Sequence, residues 1–220
     1  FSLSLSAMRT LIPFAAVNPK TRLDSVLTGD ERAAFARAML RSVCATLQQA
    51  GSEPTVLSTA ALAATALPAD TSVVVDDRPL TTAVNDELTT DTPTLIMMAD
   101  LPLATPESIR RLIAASDDAG TDADIAIAPG LGGGTNALVV RAPAFRVDYH
   151  GASYLDHRAA AADLGATVET VDSRRLATDI DEPSDLAEVL IHGDGPAREW
   201  LVDAGFDLDR SDGRVGVRRR

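Results

Sequence analysis

The stretch Thr94-Leu95-Ile96-Met97-Met98-Ala99-Asp100-Leu101-Pro102-Leu103-Ala104-Thr105-Pro106-Glu107 decides the fold class. Thr94 to Met98 is an unbroken apolar run with the length of a buried strand rather than a helix. Thr105-Pro106-Glu107 then supplies an N-cap, a proline at the first helical position and an early acid, so a helix is predicted to about Ala115. The same alternation extends in both directions. Upstream, Thr10 to Phe14 reads as a strand, and Thr28-Gly29-Asp30-Glu31 has capping-box spacing for a helix over Arg32 to Gln49. On that helix Phe35, Met39, Val43 and Leu47 recur every four residues, and Gly51 ends it. Thr55 to Leu57 and Ser72 to Val75 read as short buried strands, and Pro79 to Leu88 as a helix. Downstream, Ile125 to Ala128 and Ala137 to Val140 are strands flanking a glycine-rich loop, and Ser153 caps a helix to Leu164. Thr167 to Val171 and Leu176 to Thr178 are strand candidates, and Pro183 to Ile191 is a helix. Strands alternating with helices predict an α/β three-layer sandwich with a mostly parallel central sheet.

Length and composition bound the rest. A chain of 220 residues is one domain with a small appendage. Residues 1–7 read as a leader outside the fold, residues 8–193 as the single domain, and residues 194–220 as one docked helix carrying Trp200 with a frayed end. No apolar run reaches membrane-spanning length, and no signal peptide is recognisable, so the chain reads as cytoplasmic. The one cysteine, Cys44, excludes a disulfide framework and a cysteine-based zinc site. The net charge is −12, and 24 of the 32 acids are Asp. The 20 bases are 19 Arg and one Lys. So negative a surface repels nucleic-acid backbones. Abundant Asp with almost no Lys fits a protein adapted to a salt-filled cytoplasm, where screening leaves an anionic ligand dependent on local cations.

In open parallel sheets ligands bind beyond the carboxyl ends of the strands. After the first strand stand Lys20, the only lysine, and Arg22, a point charge and a fork suited to phosphate oxygens, or else a pair of surface bases. Asp100 follows the strand at Thr94, where it either caps a turn or holds Mg²⁺. Asp179 and Asp181 point to one side of an extended segment and can meet a divalent ion, unless Asp181 caps the helix at Pro183. Thr135 follows the glycine-rich loop, and Gly151-Ala152-Ser153 opens a helix. Both read as an anion-binding turn or as an ordinary flexible loop and N-cap. His157 shares the helix face of Ser153, as a contact to that anion or as an exposed histidine.

In that order the signals resemble nucleotidyltransferases of the GT-A-like (nucleotide-diphospho-sugar transferase) fold. The motifs Pro13-Phe14, Asn18-Pro19-Lys20-Thr21-Arg22-Leu23, Ala99-Asp100-Leu101-Pro102, Gly134-Thr135-Asn136-Ala137-Leu138, Gly151-Ala152-Ser153 with His157, and Asp179-Ile180-Asp181 with Pro183 are similar to those of the 2-phospho-L-lactate guanylyltransferase family (CofC), haloarchaeal in type. The resemblance runs from about Arg9 to Gly193. It implies transfer of GMP from GTP to 2-phospho-L-lactate, or to phosphoenolpyruvate as in bacterial relatives, in coenzyme F-420 biosynthesis. It further implies Lys20 and Arg22 on the triphosphate, Mg²⁺ on Asp100, Asp179 and Asp181, and the phosphoacid on Thr135, Ser153 and the Gly151 turn, within a possible homodimer. Two positions depart from the family pattern: His150 stands where relatives carry glycine, and Thr81 where they often carry Asn. Two other functions compete. One is a nucleotidyltransferase for a sugar phosphate or the molybdenum cofactor, although the first loop lacks the Gly-Gly-x-Ser-x-Arg-Met-Gly pattern of those enzymes. The other is a nucleotide-binding regulatory module without catalysis.

Overall fold

A computed structural model describes residues 8–63, 66–88, 92–116, 123–211, 213 and 215–220. The proposed leader at residues 1–7 lies outside them. The chain runs through β1 (Arg9–Phe14), α1 (Gly29–Ala50), β2 (Pro54–Ser58), β3 (Ser72–Val75), α2 (Leu80–Glu87), β4 (Thr94–Met97), α3 (Pro106–Ala114), β5 (Ile125–Pro129) and β6 (Thr135–Val140). It continues through α4 (Ser153–Asp163), β7 (Val168–Thr170), α5 (Arg174–Ala177), α6 (Leu186–His192), α7 (Pro196–Asp203), β8 (Phe206–Asp209) and β9 (Gly216–Arg219).

Seven strands form one sheet in the order β3-β2-β1-β4-β6-β5-β7. Only β6 runs against its neighbours, β4 and β5; the other pairings are parallel. The central strands are buried on both faces, which explains their continuous apolar runs. One face packs Ile12, Leu95 and Val139 against α1 and α3 through Leu40, Val43, Ile109 and Leu112. The other packs Leu11, Ile96 and Leu138 with Val84 of α2, Phe145 and Ala161 of α4. The capping box of Thr28 with Glu31 forms at α1, and the N-cap Thr105 goes further than expected by forming a box with Ser108 at α3.

A spacing of four residues drifts around a helix of 3.6 residues per turn. The stripe read on α1 accordingly serves two cores. Val43 and Leu47 face the sheet. Phe35 and Met39 face a third cluster built with Leu23, Leu27, Ile180, Leu186, Leu190, Leu201 and Phe206. The C-terminal segment therefore docks within its own chain, with the Trp200 ring 5.2 Å from that of Phe35. It is more than one helix: the end expected to fray pairs as the hairpin β8–β9. Arg219 bridges to Glu31, and Arg220 to Asp207. These ion pairs, one to α1 and one across the hairpin, and the burial of Phe206 order a polar strand that hydropathy alone does not reveal.

Three other local expectations change. β3 is an edge strand rather than a buried one, with Val75 56% exposed, because β2 covers one side only. Leu176 to Thr178 is not a strand; Arg174–Ala177 closes one helical turn that buries Leu176. Ser153 is the first helical residue and not the cap, which is Ala152 with no side-chain bond. Among the described residues, no helix is long and apolar enough to cross a membrane.

Candidate active site

The loop after β1 is built to present a cation. Asn18 and Lys20 both take left-handed backbone, with φ of 44° and 54°. Non-glycine residues hold that conformation only where their surroundings enforce it. Here Pro19 is buried between them, and Arg32 of α1 clamps the loop from outside, donating to the Asn18 side chain at 3.0 Å and the Pro19 carbonyl at 3.4 Å. A 3₁₀ turn, Thr21–Leu23, follows and pins itself by burying Leu23 completely. The result aims the Lys20 ammonium across the carboxyl edge of the sheet. The sequence places Arg32 at the start of the helix but gives it no role in this loop; its position in the first turn of α1 is the signal for one.

Lys20 Nζ donates to Asp100 Oδ2 and to Asp181 Oδ1, each at 2.6 Å. Arg22 reaches the other Asp181 oxygen at 3.3 Å. Asp100 follows β4, and its carbonyl accepts from the Ile180 N–H at 3.1 Å, which ties the two acidic segments together. Ile180 is wholly buried in the C-terminal cluster, so its neighbours Asp179 and Asp181 face the opposite way, toward Lys20 and the sheet. Asp181 is not the helix cap: Glu182 stands before Pro183 and forms a capping box with Asp185, whose carboxylate accepts from the backbone N–H of Asp181 and Glu182. Burial would lower the Lys20 pKa, but the Asp100 and Asp181 carboxylates outweigh it and hold the ammonium above its usual range. Burial pushes the Asp179 carboxyl up, and Asp100 and Asp181 add like-charge repulsion that a bond from Asn136 opposes.

That bond identifies a second residue to which the sequence reading gave no role. Asn136 Nδ2 donates to the Leu176 carbonyl at 2.9 Å and to Asp179 Oδ1 at 3.2 Å. Its side chain occupies the space a Cβ at Gly130 would take, 2.5 Å from Asn136 Oδ1. Glycine is required there so that the amide can reach Asp179.

Asp100 Oδ1 is buried and without a protein partner, which suits a hard cation. The three-aspartate cage expected from the sequence is nevertheless absent: among the described residues no three carboxylate, His or Cys groups converge to ligate one ion. The physical reason is that the Lys20 ammonium lies between Asp100 and Asp181, while Asn136 holds Asp179. Mg²⁺ commonly takes only one or two carboxylates, completing its shell with phosphate oxygens and water. The residues present fit that smaller protein contribution.

The anion-turn residues also gather, in a different arrangement from that expected. Ser153 Oγ accepts the Thr135 N–H at 3.0 Å, and both residues are buried. His157 is wholly buried rather than exposed. Its Nε2 accepts the Asp148 N–H at 2.9 Å, which places the proton on Nδ1, 2.8 Å from Thr135 Oγ1. Burial lowers its pKa to about 4, so it stays neutral. His157 is thus a strut beneath Thr135 and not a ligand of an anion. Gly151 turns the chain at φ 48°, in the exposed loop before α4. His150 beside it is exposed and bound to Asp148. Thr81 accepts the Tyr149 N–H at 3.0 Å, bracing the same turn.

A cleft of about 390 Å³ opens beside Lys20, over the carboxyl ends of β1 to β4. Lys20, Arg22, Asp100 and Asp181 form one wall; Phe14, Leu57, Leu80 and Met98 contribute apolar surface, and Asp76 and Arg78 lie beyond β3. Asp179, Thr135 and Ser153 lie outside its lining.

Solved structures and sequence relatives place this arrangement. A crystal structure from Desulfovibrio desulfuricans G20, named a "putative nucleotide-diphospho-sugar transferase", superposes with a TM-score of 0.73 at 14% identity, covering 90% of this chain and 95% of that one. A 2-C-methyl-D-erythritol 4-phosphate cytidylyltransferase from Thermus thermophilus gives 0.50 at 16%, covering 87% and 98%. At such identities the likeness is one of fold, and it defines the chain as an α/β protein of the nucleotide-diphospho-sugar transferase type. Sequence narrows this further. The family model "Guanylyl transferase CofC like" matches residues 8–220, including the C-terminal hairpin. The 2-phospho-L-lactate guanylyltransferase of Natronomonas pharaonis is 56% identical over 213 residues, covering 97% of this chain and all of the relative. That of Methanocorpusculum labreanum is 47% identical over 211 residues, covering 95% of each. The chain belongs to the CofC-like guanylyl transferase family and is a nucleotidyltransferase.

Proposed function

We propose that this enzyme transfers GMP from GTP to the phosphate of 2-phospho-L-lactate, releasing pyrophosphate, as an activation step in coenzyme F-420 biosynthesis. The observation that carries the reading is the Lys20 ammonium, held at 2.6 Å by both Asp100 and Asp181 at the rim of a cleft of nucleoside size. An acceptor phosphate is already ionised at neutral pH, so no general base is required. The barrier is repulsion between two anions. An acceptor oxygen forms a bond to the α-phosphorus while the bridging bond to the β-phosphate breaks, and pyrophosphate carries the charge away. Lys20 and Arg22 neutralise charge developing on the transferred group, and the closed loop geometry holds the reactants in line. Asp100, with Asp179 or Asp181, would hold Mg²⁺ together with substrate phosphates. Bound there, the ion would act as a Lewis acid that polarises the phosphoryl oxygens. Thr135, Ser153 and the Gly151 turn are assigned to the phosphoacid; both hydroxyls keep a hydrogen to donate, since each accepts a protein donor.

The same reading includes a cytoplasmic, salt-adapted protein with GTP and the phosphoacid as partners, without nucleic acid or membrane, and a homodimer that light scattering in high salt would test. The deciding experiment follows pyrophosphate from purified protein with GTP, Mg²⁺ and 2-phospho-L-lactate in molar KCl, beside phosphoenolpyruvate. Release above the acceptor-free control is expected. No release with either acceptor refutes the assignment.

A further inference from the structure

The turn assigned to the phosphoacid hangs from α2. Between β6 and α4, residues 141–152 form neither helix nor strand. Phe145 and Val147 are buried there and Tyr149 is half-buried, while Arg146, Asp148 and His150 are exposed. Such alternation is the pattern of a strand, yet among the described residues no strand pairs with it. Its backbone groups must find partners elsewhere, and side chains supply them at consecutive residues. The Val147 N–H donates to Asn85 Oδ1 at 2.8 Å, and Asn85 Nδ2 donates to the Val147 carbonyl at 2.9 Å. The Asp148 N–H donates to His157 Nε2 at 2.9 Å, and the Tyr149 N–H to Thr81 Oγ1 at 3.0 Å.

A primary amide carries a donor and an acceptor side by side, so Asn85 meets Val147 as a neighbouring strand would. A residue held at one atom can pivot; one held at both its N–H and its carbonyl cannot. Downstream of Val147 the chain reaches Gly151 and then buried Ser153, whose Oγ receives the Thr135 N–H. The exposed turn is thus fixed at both of its ends. Thr81 and Asn85 stand at i and i+4 and share one face of α2. Leu80 and Ala83 of the same helix line the cleft beside Lys20. One helix therefore serves the cleft and the turn through different side chains.

We propose that Asn85 is a positioning residue for the phosphoacid: its amide fixes the register of residues 147–149 and, through them, the Gly151 turn that receives the small phosphorylated acid. The inference rests on the guanylyltransferase reading and deepens it by naming what holds that turn in place.

The test measures KM for 2-phospho-L-lactate and for GTP separately, with Mg²⁺ in molar KCl, in wild type, Asn85→Ala, Asn85→Asp and Val84→Ala. Asn85→Ala deletes both bonds to Val147. Asn85→Asp keeps the size and an acceptor for the Val147 N–H, but sets a second oxygen against the Val147 carbonyl. Both are expected to raise KM for the phosphoacid by about tenfold or more while KM for GTP stays within about threefold of wild type. Val84, the preceding residue of α2, is wholly buried. Val84→Ala loosens the packing of the helix and is expected to lower the melting temperature without separating the two constants. Partial unfolding removes active enzyme and lowers apparent kcat, so it cannot raise one KM alone. Should Asn85→Ala fail to fold, Asn85→Asp carries the comparison. An unchanged phosphoacid KM in the Asn85 variants, equal rises in both constants, or the same split in Val84→Ala overturns the proposal. Pyrophosphate release by wild type without the split sinks the positioning role alone. No release by wild type with either phosphoacid sinks it together with the guanylyltransferase reading.

Discussion

Lys20→Met keeps the aliphatic stem and deletes the ammonium between Asp100 and Asp181. Each acid has an oxygen 2.6 Å from Nζ, which bounds the separation of those oxygens at about 5.2 Å. At an effective dielectric near 20, two unit charges at that distance repel by ~3 kcal/mol. The side chains are 12%, 24% and 27% exposed for Lys20, Asp100 and Asp181, so solvent only partly screens them. The variant is expected to lose stability on the order of that amount in low salt and to recover much of it in molar KCl, where counter-ions replace the missing charge. Catalysis should respond differently. If the ammonium neutralises charge in the transition state, its removal costs roughly 3–4 kcal/mol of barrier, or 10²–10³ in kcat, and diffuse salt does not restore it. Thermal melting and pyrophosphate release, each measured across a KCl series, separate the two effects. Activity within about threefold of wild type, or an activity deficit that vanishes with salt alongside the stability deficit, would show Lys20 to be a structural counter-ion and refute the mechanism.

Three further outcomes follow from the same geometry. Asn136→Ala should leave the Leu176 carbonyl without its partner and release Asp179, costing about 1–3 kcal/mol of stability by denaturant titration and lowering activity; equal activity in Asn136→Ala and wild type would remove Asp179 from the site. His157 is buried with its pKa lowered from 6.5 to about 4, so the unfolded chain binds more protons between those values. Stability should therefore fall by roughly 3 kcal/mol as pH drops from 6.5 to 4, and this component should disappear in His157→Gln, read from urea midpoints against pH. Phe35→Ala is expected to cost about 3–5 kcal/mol and to loosen the Trp200 contact, seen as a red shift of Trp emission; an unperturbed emission spectrum would mean that the C-terminal segment docks elsewhere.

The C-terminal segment supports the site from outside the cleft. Leu23 follows the Lys20 loop, and Ile180 separates two of the acids; both are wholly buried in the cluster that the C-terminal helix and hairpin complete. The appendage thus anchors the cationic and the acidic segments from behind, through packing rather than through any residue that faces the cleft.

The fold class and the order of the chemical groups were legible in the one-dimensional chain, because both rest on local rules. Apolar runs of strand length, the capping box at Thr28, the N-cap and proline at Thr105-Pro106, and polar residues just past each strand are decided within a few residues of backbone. Lys20, Arg22, Asp100, Asp179 and Asp181 could be singled out for that reason. Their pairing could not. That the ammonium sits between Asp100 and Asp181, that Asn136 takes Asp179 out of a three-ligand set, and that His157 is a buried neutral strut depend on contacts between segments 22 to 161 positions apart. The same holds for the hairpin at the C-terminus, whose strand β9 is polar and becomes a strand only because Phe206 is buried and Arg219 finds Glu31. Local propensity is a property of the chain, whereas the partner of a charge or a hydroxyl exists only once packing has brought distant segments together.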